Sequence, residues 1–266
     1  MQASLITVTY NSADDLRQFW ANAQELDAEW VVVDNASVDG SADVARSLGA
    51  KVIDLPANVG FSTANNHGAR SAGSDVLIFV NPDVEVTQHG VDQIVERLRV
   101  SGGVVAPQLV NQDGSLQENG RAMPYPHRKI AHMFWPDSGV SRHYSKVARQ
   151  GETVAVPWVM GAALAMSRTD FERIGGWNER YFVYYEDADI CLRSWRLGIE
   201  VHLMGAVNWV HGWARETSRS LSWQIWKFEF VSAFKFYSTH PSSVIPWGKF
   251  SRKMKEIERR PVGETV

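Results

Sequence analysis

Strand and helix signals alternate through the first 110 residues, and no other feature limits the fold so tightly. Leu5-Ile6-Thr7-Val8-Thr9-Tyr10 is a β-rich run stopped by Asn11-Ser12. Asp14 to Leu26 has Leu16, Phe19, Trp20 and Ala23 on one helical face. Trp30-Val31-Val32-Val33-Asp34 and Asp75-Val76-Leu77-Ile78-Phe79-Val80 are unalternating apolar runs, the signature of strands covered on both faces. Helices are predicted over Ser41–Leu48, from Gly60 to Ala72 and over Gln88–Arg99, with strands at Lys51–Leu55 and Val104–Leu109. Such alternation predicts an α/β fold with a mostly parallel, doubly wound sheet. Ligands of these sheets sit at the carboxyl ends of the strands.

The pattern changes after that. Asn111 to Glu152 is polar, with Pro and His, and reads as a long functional loop or an insertion. A strand is expected at Val154–Met166, helices at Arg168–Ile174 and Ala188–Leu197, and two late strands at Val201–Met204 and Ala206–Val210. Ser222 to Thr239 carries Trp223, Trp226, Phe230, Phe234 and Tyr237 at helical spacing, expected to pack as core. A membrane-surface or dimer contact is the other reading of that stripe, because Phe228 and Phe236 fall off it. The adjoining Lys249–Arg260 tail also has six basic residues against two acidic. The expected division is a domain over residues 1–217, split near 110, and an aromatic and basic segment over 218–266.

Composition removes several function classes. Lys and Arg number 27 against 30 Asp and Glu, which argues against a nucleic-acid partner. One cysteine, Cys191, excludes a disulfide framework or a cysteine-held metal and fits a cytoplasmic protein. Met1 to Ser12 does not read as a secretory signal. Val154–Met166 falls short of the roughly 20 residues of a spanning helix, so the chain is expected to be soluble or peripheral at a membrane.

Four polar clusters follow predicted strands. Thr9-Tyr10-Asn11 and Asp34-Asn35 end the first two; a carboxylate there can bind a base or ribose, or simply cap a helix. No Gly-x-Gly-x-x-Gly appears in the first loop. Asn58-Val59-Gly60-Phe61 with Asn65 and Asn66 offers amides beside a glycine that permits close approach. Asn81-Pro82-Asp83 places a hard oxygen ligand at the sheet edge, suited to Mg²⁺, or forms a plain turn. In Glu186-Asp187-Ala188-Asp189, Glu186, Asp189 and Arg193 share a helical face while Asp187 points elsewhere, open for proton abstraction. Acids at a helix N-terminus also have a bland explanation in the dipole. His211, among aromatics, is a packed side chain or a ligand for a divalent ion.

In this order, these residues resemble family 2 glycosyltransferases of the GT-A fold, most closely a bacterial rhamnosyltransferase-like branch. The likeness runs from Leu5 to Ser218 and rests on Val8-Thr9-Tyr10-Asn11, Asp34-Asn35-Ala36-Ser37-x-Asp39-Gly40-Ser41, Asn58-x-Gly60-Phe61, Asn81-Pro82-Asp83, Glu186-Asp187-x-Asp189 with Arg193, and His211. It implies a metal-dependent enzyme of cell-surface polysaccharide synthesis and a dTDP- or UDP-linked sugar donor, with dTDP-rhamnose first. The acceptor would be a saccharide or polyprenyl-linked sugar, met in the cytoplasm or at the inner membrane face. Thr9, Tyr10, Asn11 and Asp34 would surround the nucleotide, with Asn58, Gly60, Asn65, Asn66 and Asn81 near the donor. Asp83 and His211 would hold Mg²⁺ or Mn²⁺, and Asp187 would be the catalytic base beside Glu186. The chain departs from the family's Asp-x-Asp pattern at Asn81, which lowers the expected metal affinity. Trp158, Gly161 and Asp189 are placed at the acceptor. A sugar nucleotidyltransferase and a catalytically inactive sugar-nucleotide-binding module are the competing readings.

Overall fold

The computed structural model describes residues 2–135, 137–212, 223–245 and 248–259. Its strands are β1 (Ala3–Thr9), β2 (Glu29–Asp34), β3 (Lys51–Asp54), β4 (Val76–Val80), β5 (Val84–Glu85), β6 (Val104–Val110), β7 (Gly120–Arg121), β8 (Ser145–Lys146), β9 (Thr153–Ala155), β10 (Trp158–Val159), β11 (Ala163–Ser167) and β12 (Val201–His211). The α-helices are α1 (Ala13–Phe19), α2 (Ser41–Ser47), α3 (Phe61–Ser71), α4 (Gln88–Ser101), α5 (Pro126–Phe134), α6 (Gly139–Tyr144), α7 (Arg168–Ile174), α8 (Glu186–Arg196), α9 (Trp223–Thr239) and α10 (Lys249–Arg259).

The main sheet runs β3-β2-β1-β4-β11-β6-β12-β5, with β9 paired to β12. β3, β2, β1 and β4 are mutually parallel, as the βαβ alternation predicts. β11 enters antiparallel between β4 and β6, so the sheet is mixed. The apolar strands split by residue parity between two cores: Ile6, Val31, Leu77 and Phe79 face one layer, and Leu5, Val32, Ile78 and Val80 the other. Both faces are therefore dry, which is why these strands do not alternate in polarity.

Three boundaries depart from the sequence reading. The first helix stops at Phe19 and a short 3₁₀ turn covers Ala23–Glu25. Val154–Met166 is broken by Pro157 and Gly161 into β9, β10 and β11. The two late strands are one strand, β12, with a register shift between Met204 and Asn208. Arg168 ties the sheet to α3: its guanidinium donates to the carbonyls of Ala69, Ala72 and Ser74, closing the helix end.

The 111–152 segment folds into β7, α5, α6 and β8, and β10-β7-β8 form a small second sheet. The aromatic stripe is corrected. Phe230 and Phe234 are 66% and 78% exposed, whereas Phe236 is fully buried in the first core with Met254 and Ile257. Packing against Tyr185 and His240 turns the helix this way round. The side chains of Trp223 and Trp226, the 217/218 boundary and Arg260 lie outside the described residues. Among the described residues, no helix is long and apolar enough to cross a membrane.

Candidate active site

The carboxyl ends of β1, β2 and β4 open into a cleft of about 660 Å³, closed on its other side by the start of α8 and the end of β12. Thr9 and Asp34 end neighbouring strands and are paired in register. Thr9 Oγ1 and Asp34 Oδ1 are buried without a hydrogen-bond partner, while Asp34 Oδ2 accepts from Ser37 N–H at 3.0 Å. Neither side chain lines the cleft as it stands: Thr9 has no exposure and Asp34 is buried behind Tyr10 and Asn35, which do line it. Tyr10, half exposed, lines the mouth. Asn11 takes a left-handed backbone at φ 53 and accepts from Val38 N–H. It braces the loop and is not part of the cleft lining, contrary to its expected nucleotide contact.

Asn58 lines the cleft and shapes its floor, its Oδ1 accepting from Asn35 and from Gly60 N–H. Gly60 has φ +85, and a Cβ there would stand 2.6 Å from the Phe182 carbonyl oxygen. Only glycine meets both demands. Asn65 and Asn66 are corrected: the first bonds to the Phe61 carbonyl, the second to both backbone groups of Trp177 and to Glu179. α3 turns these amides into the protein, where Asn66 holds the loop that leads to α8.

Asn81 and Asp83 follow β4 and both line the cleft. β5 pairs antiparallel with the end of β12, with His211 opposite Val84. That register brings His211 Nε2 to 3.4 Å from Asp83 Oδ2. The imidazole is set by Gln117, whose Oε1 lies 2.8 Å from Nδ1. Gln117 Nε2 donates to the His211 carbonyl at 3.0 Å and to Asn111 Oδ1 at 2.8 Å. The Gln117 oxygen must therefore accept, which puts a proton on Nδ1; in the neutral ring the Nε2 lone pair then faces the Asp83 carboxylate. With the ring neutral, Nε2 and the Asp83 carboxylate are two acceptors that a cation could join, so the donor set fits Mg²⁺ or Mn²⁺. Among the described residues, no group of three His, Cys, Asp or Glu gathers to hold a metal. Two protein ligands are what a site completed by substrate phosphates requires.

α8 opens directly on the acids. Tyr184 and Tyr185 before it both have φ 69, a strained backbone for aromatic residues that aims the first turn into the cleft. Asp187 is half-buried; its Oδ1 accepts from Ala188 N–H at 2.7 Å and its Oδ2 from Gly161 N–H at 3.2 Å. Burial raises its pKa, against these two N–H groups and the charges of Lys129 and Arg121. Burial, with the neighbouring Asp187 charge, lifts Glu186 well above the ordinary range. Glu186 Oε2 has no partner, so Glu186 is the acid kept neutral and Asp187 the one that ionises.

Two expected acceptor residues are corrected. Asp189 has no exposure, and its oxygens are taken by Arg193 and His240, each at 2.7 Å. Trp158 is buried with its ring nitrogen on the Ala122 carbonyl. Gly161 does line the cleft. Gln117, Arg121, Lys129 and Phe182 went unnoticed in the sequence. The first three lie in the polar 111–152 segment, which has no periodicity to mark them, and Phe228 was visible only as a residue off the stripe.

A family model described as glycosyl transferase family 2 matches residues 4–175, and one described as the N-terminal domain of galactosyltransferase matches residues 142–211. An N-acetylglucosaminyl-diphospho-decaprenol L-rhamnosyltransferase of Mycobacterium tuberculosis is 28% identical over 81% of this chain and 77% of its own length. The dTDP-rhamnosyl transferase RfbF of Shigella flexneri is 25% identical over 77% of this chain and 67% of its own. Among solved structures, a Pyrobaculum calidifontis mannosyltransferase in complex with GDP-Man and Mn²⁺ aligns over 97% of this chain and 68% of its own, at 18% identity and a TM-score of 0.61. S. aureus TarS aligns over 97% and 69%, at 12% identity and 0.64. These two likenesses establish the GT-A-like fold.

Proposed function

The chain belongs to glycosyl transferase family 2, on its rhamnosyltransferase-like branch, and from that premise we propose an inverting transfer from a nucleotide-diphosphate sugar to a lipid-linked saccharide. dTDP-rhamnose is the first donor and a UDP-hexose the second; the setting is cell-surface polysaccharide synthesis. Residues 1–217 are taken as the catalytic unit. One observation carries the reading: Asp83 and Asp187 line the same cleft, with Tyr10 and Asn35 from the ends of the neighbouring strands.

The donor's nucleotide takes the Thr9 and Asp34 end, with Tyr10 at the mouth and Asn58 and Gly60 shaping the floor. Its diphosphate lies toward Asn81 and Asp83. Asp83 and His211 would hold a divalent ion there, which supplies Lewis-acid stabilisation of the departing diphosphate. Asp187 accepts the proton of the acceptor hydroxyl as that oxygen bonds to the anomeric carbon. The bond from that carbon to the diphosphate oxygen breaks, and its electron pair leaves with the nucleoside diphosphate. Attack on the face opposite the leaving group inverts the anomeric centre. Glu186, neutral beside Asp187, leaves the single negative charge on the residue that needs it. Phe182 and Phe228 at the cleft offer flat apolar faces suited to a pyranose.

Melting the protein with dTDP, UDP and GDP, each with and without Mn²⁺, tests the reading. Stabilisation by dTDP or UDP that depends on the ion is expected, followed by donor hydrolysis with the matching sugar nucleotide. No stabilisation by any of them would overturn it.

A further inference from the structure

We propose that the outward faces of α5 and α9, with the basic helix α10 beside them, form a docking surface for an anionic lipid bilayer. The proposal deepens the reading of a lipid-linked acceptor and rests on it only for its purpose; the surface itself follows from packing.

α5 is clamped by two consecutive basic residues. Arg128 bonds Glu258 of α10 at 2.8 and 3.0 Å, and Lys129 meets Glu229 of α9 at 3.3 Å. At 100° per residue, Ile130 and Phe134 fall on the opposite face. They are 51% and 62% exposed, and Trp135 after them 63%. α9 is oriented in the same manner. Ser232 donates to the Val183 carbonyl and Tyr237 to the Pro124 carbonyl, while Phe236 is buried. Val231 and Phe234 then face outward. Two helices bridged by one ion pair thus each present large apolar side chains to the outside. Exposed patches of this kind mark an interaction surface.

The chemistry favours a bilayer over a protein. Phe and Trp are the residues that seat a protein at the boundary between headgroups and acyl chains. α10 is a basic amphipathic helix: Ser251, Met254 and Ile257 are buried, while Lys249, Arg252, Lys255 and Arg259 are exposed at spacings of three, three and four. Anionic headgroups complement that charge. An isologous contact with a second copy would bring two such basic helices to one interface, which like charge opposes. The surface is also continuous with the cleft. Phe228 on α9 stacks on Phe182 with ring centroids 4.9 Å apart, and both line the cleft. A sugar carried on a membrane lipid would reach Asp187 from this side.

The full chain, sedimented with phosphatidylcholine vesicles with and without phosphatidylglycerol, gives the test. Wild type is expected to pellet with the anionic vesicles and to be released by high salt. The Phe134→Glu/Phe234→Glu variant should lose about tenfold or more in partitioning, since burying even part of two rings exceeds one decade of affinity. Arg252→Glu/Lys255→Glu should lose the preference for anionic lipid, with an unchanged melting temperature in both variants. Wild type remaining in the supernatant, or the double-Phe variant binding equally well, would overturn the proposal. So would a dimer in light scattering that the double-Phe variant converts to monomer, which assigns the face to a second copy. Binding is read without donor or acceptor, so its failure is distinguishable from failure of the transferase reading.

Discussion

His211 Nε2 stands 3.4 Å from Asp83 Oδ2, and the other nitrogen of the same ring is held by Gln117 at 2.8 Å. The three residues come from the end of β12, the loop after β4 and the segment after β6. Gln117 contributes no ligand atom, yet it decides which imidazole nitrogen carries the proton. Partners of this kind orient a ligating histidine and raise its affinity.

Gln117→Ala is therefore expected to weaken Mn²⁺ binding roughly 10- to 100-fold in the presence of a nucleoside diphosphate, as other losses of a ligand's supporting partner do. Asp83→Ala should weaken it further. Titration calorimetry reads both. Equal Mn²⁺ affinity in the Gln117 variant would show that the amide does not set the ring.

Gly60→Ala tests the loop on which the donor floor is built. Alanine there adopts φ +85 at a cost of about 1–3 kcal/mol, and its Cβ must displace the Phe182 carbonyl. The melting temperature should fall by several degrees, and donor binding should weaken with it, because Phe182 lines the same cleft. A variant melting with the wild type would mean that the Phe182 loop gives way freely.

The buried pair of Asp189 and His240 makes stability depend on pH. Burial lowers the His240 pKa, against the pull of Asp189, and Nδ1 has no partner, so the ring is neutral and donates from Nε2. Burial opposes ionisation of Asp189, but the His240 hydrogen bond and Arg193 outweigh it and hold the carboxyl below the usual range. Both folded pKa values lie below the unfolded ones, so the unfolded chain binds more protons as pH falls. The contribution is complete above about pH 6.5, the unperturbed histidine value, and declines below it. Urea unfolding at pH 7.5 and 5.5 should show a smaller loss for His240→Gln, which keeps a donor but does not titrate. Equal losses would remove His240 from the acid response.

The sheet was legible because buried parallel strands are written as unbroken apolar runs, as in Val31–Val33 and Val76–Val80. That Asp83, Asp187 and His211 stand at strand and helix ends was legible from the motifs, and the fold brings the three to one cleft. Asn65, Asn66, Asp189 and Trp158 misled for one reason: spacing reveals a residue's face but not what already occupies it. Trp177 takes the amide of Asn66, and Arg193 and His240 take Asp189. The orientation of α9 was illegible because its apolar residues nearly encircle it; the choice of Phe236 over Phe234 is made by Tyr185 and His240, distant in sequence. Gln117 lies in a polar stretch where no period separates a brace from a surface amide.

The central claim is that Asp187 is the base. Its raised pKa places the acid limb of transfer above the ordinary carboxylate range, near 3.9, and activity should rise with pH through that limb. Asp187→Asn keeps one acceptor oxygen, enough for the Ala188 N–H, and loses the one that meets the Gly161 N–H. Nucleotide affinity should be unchanged, because the nucleotide is assigned to the other end of the cleft. The rate of sugar transfer, measured at saturating donor on the purified full chain, is expected to fall roughly 10²- to 10⁴-fold. Transfer by Asp187→Asn at close to the wild-type rate, with donor affinity intact, would contradict the assignment.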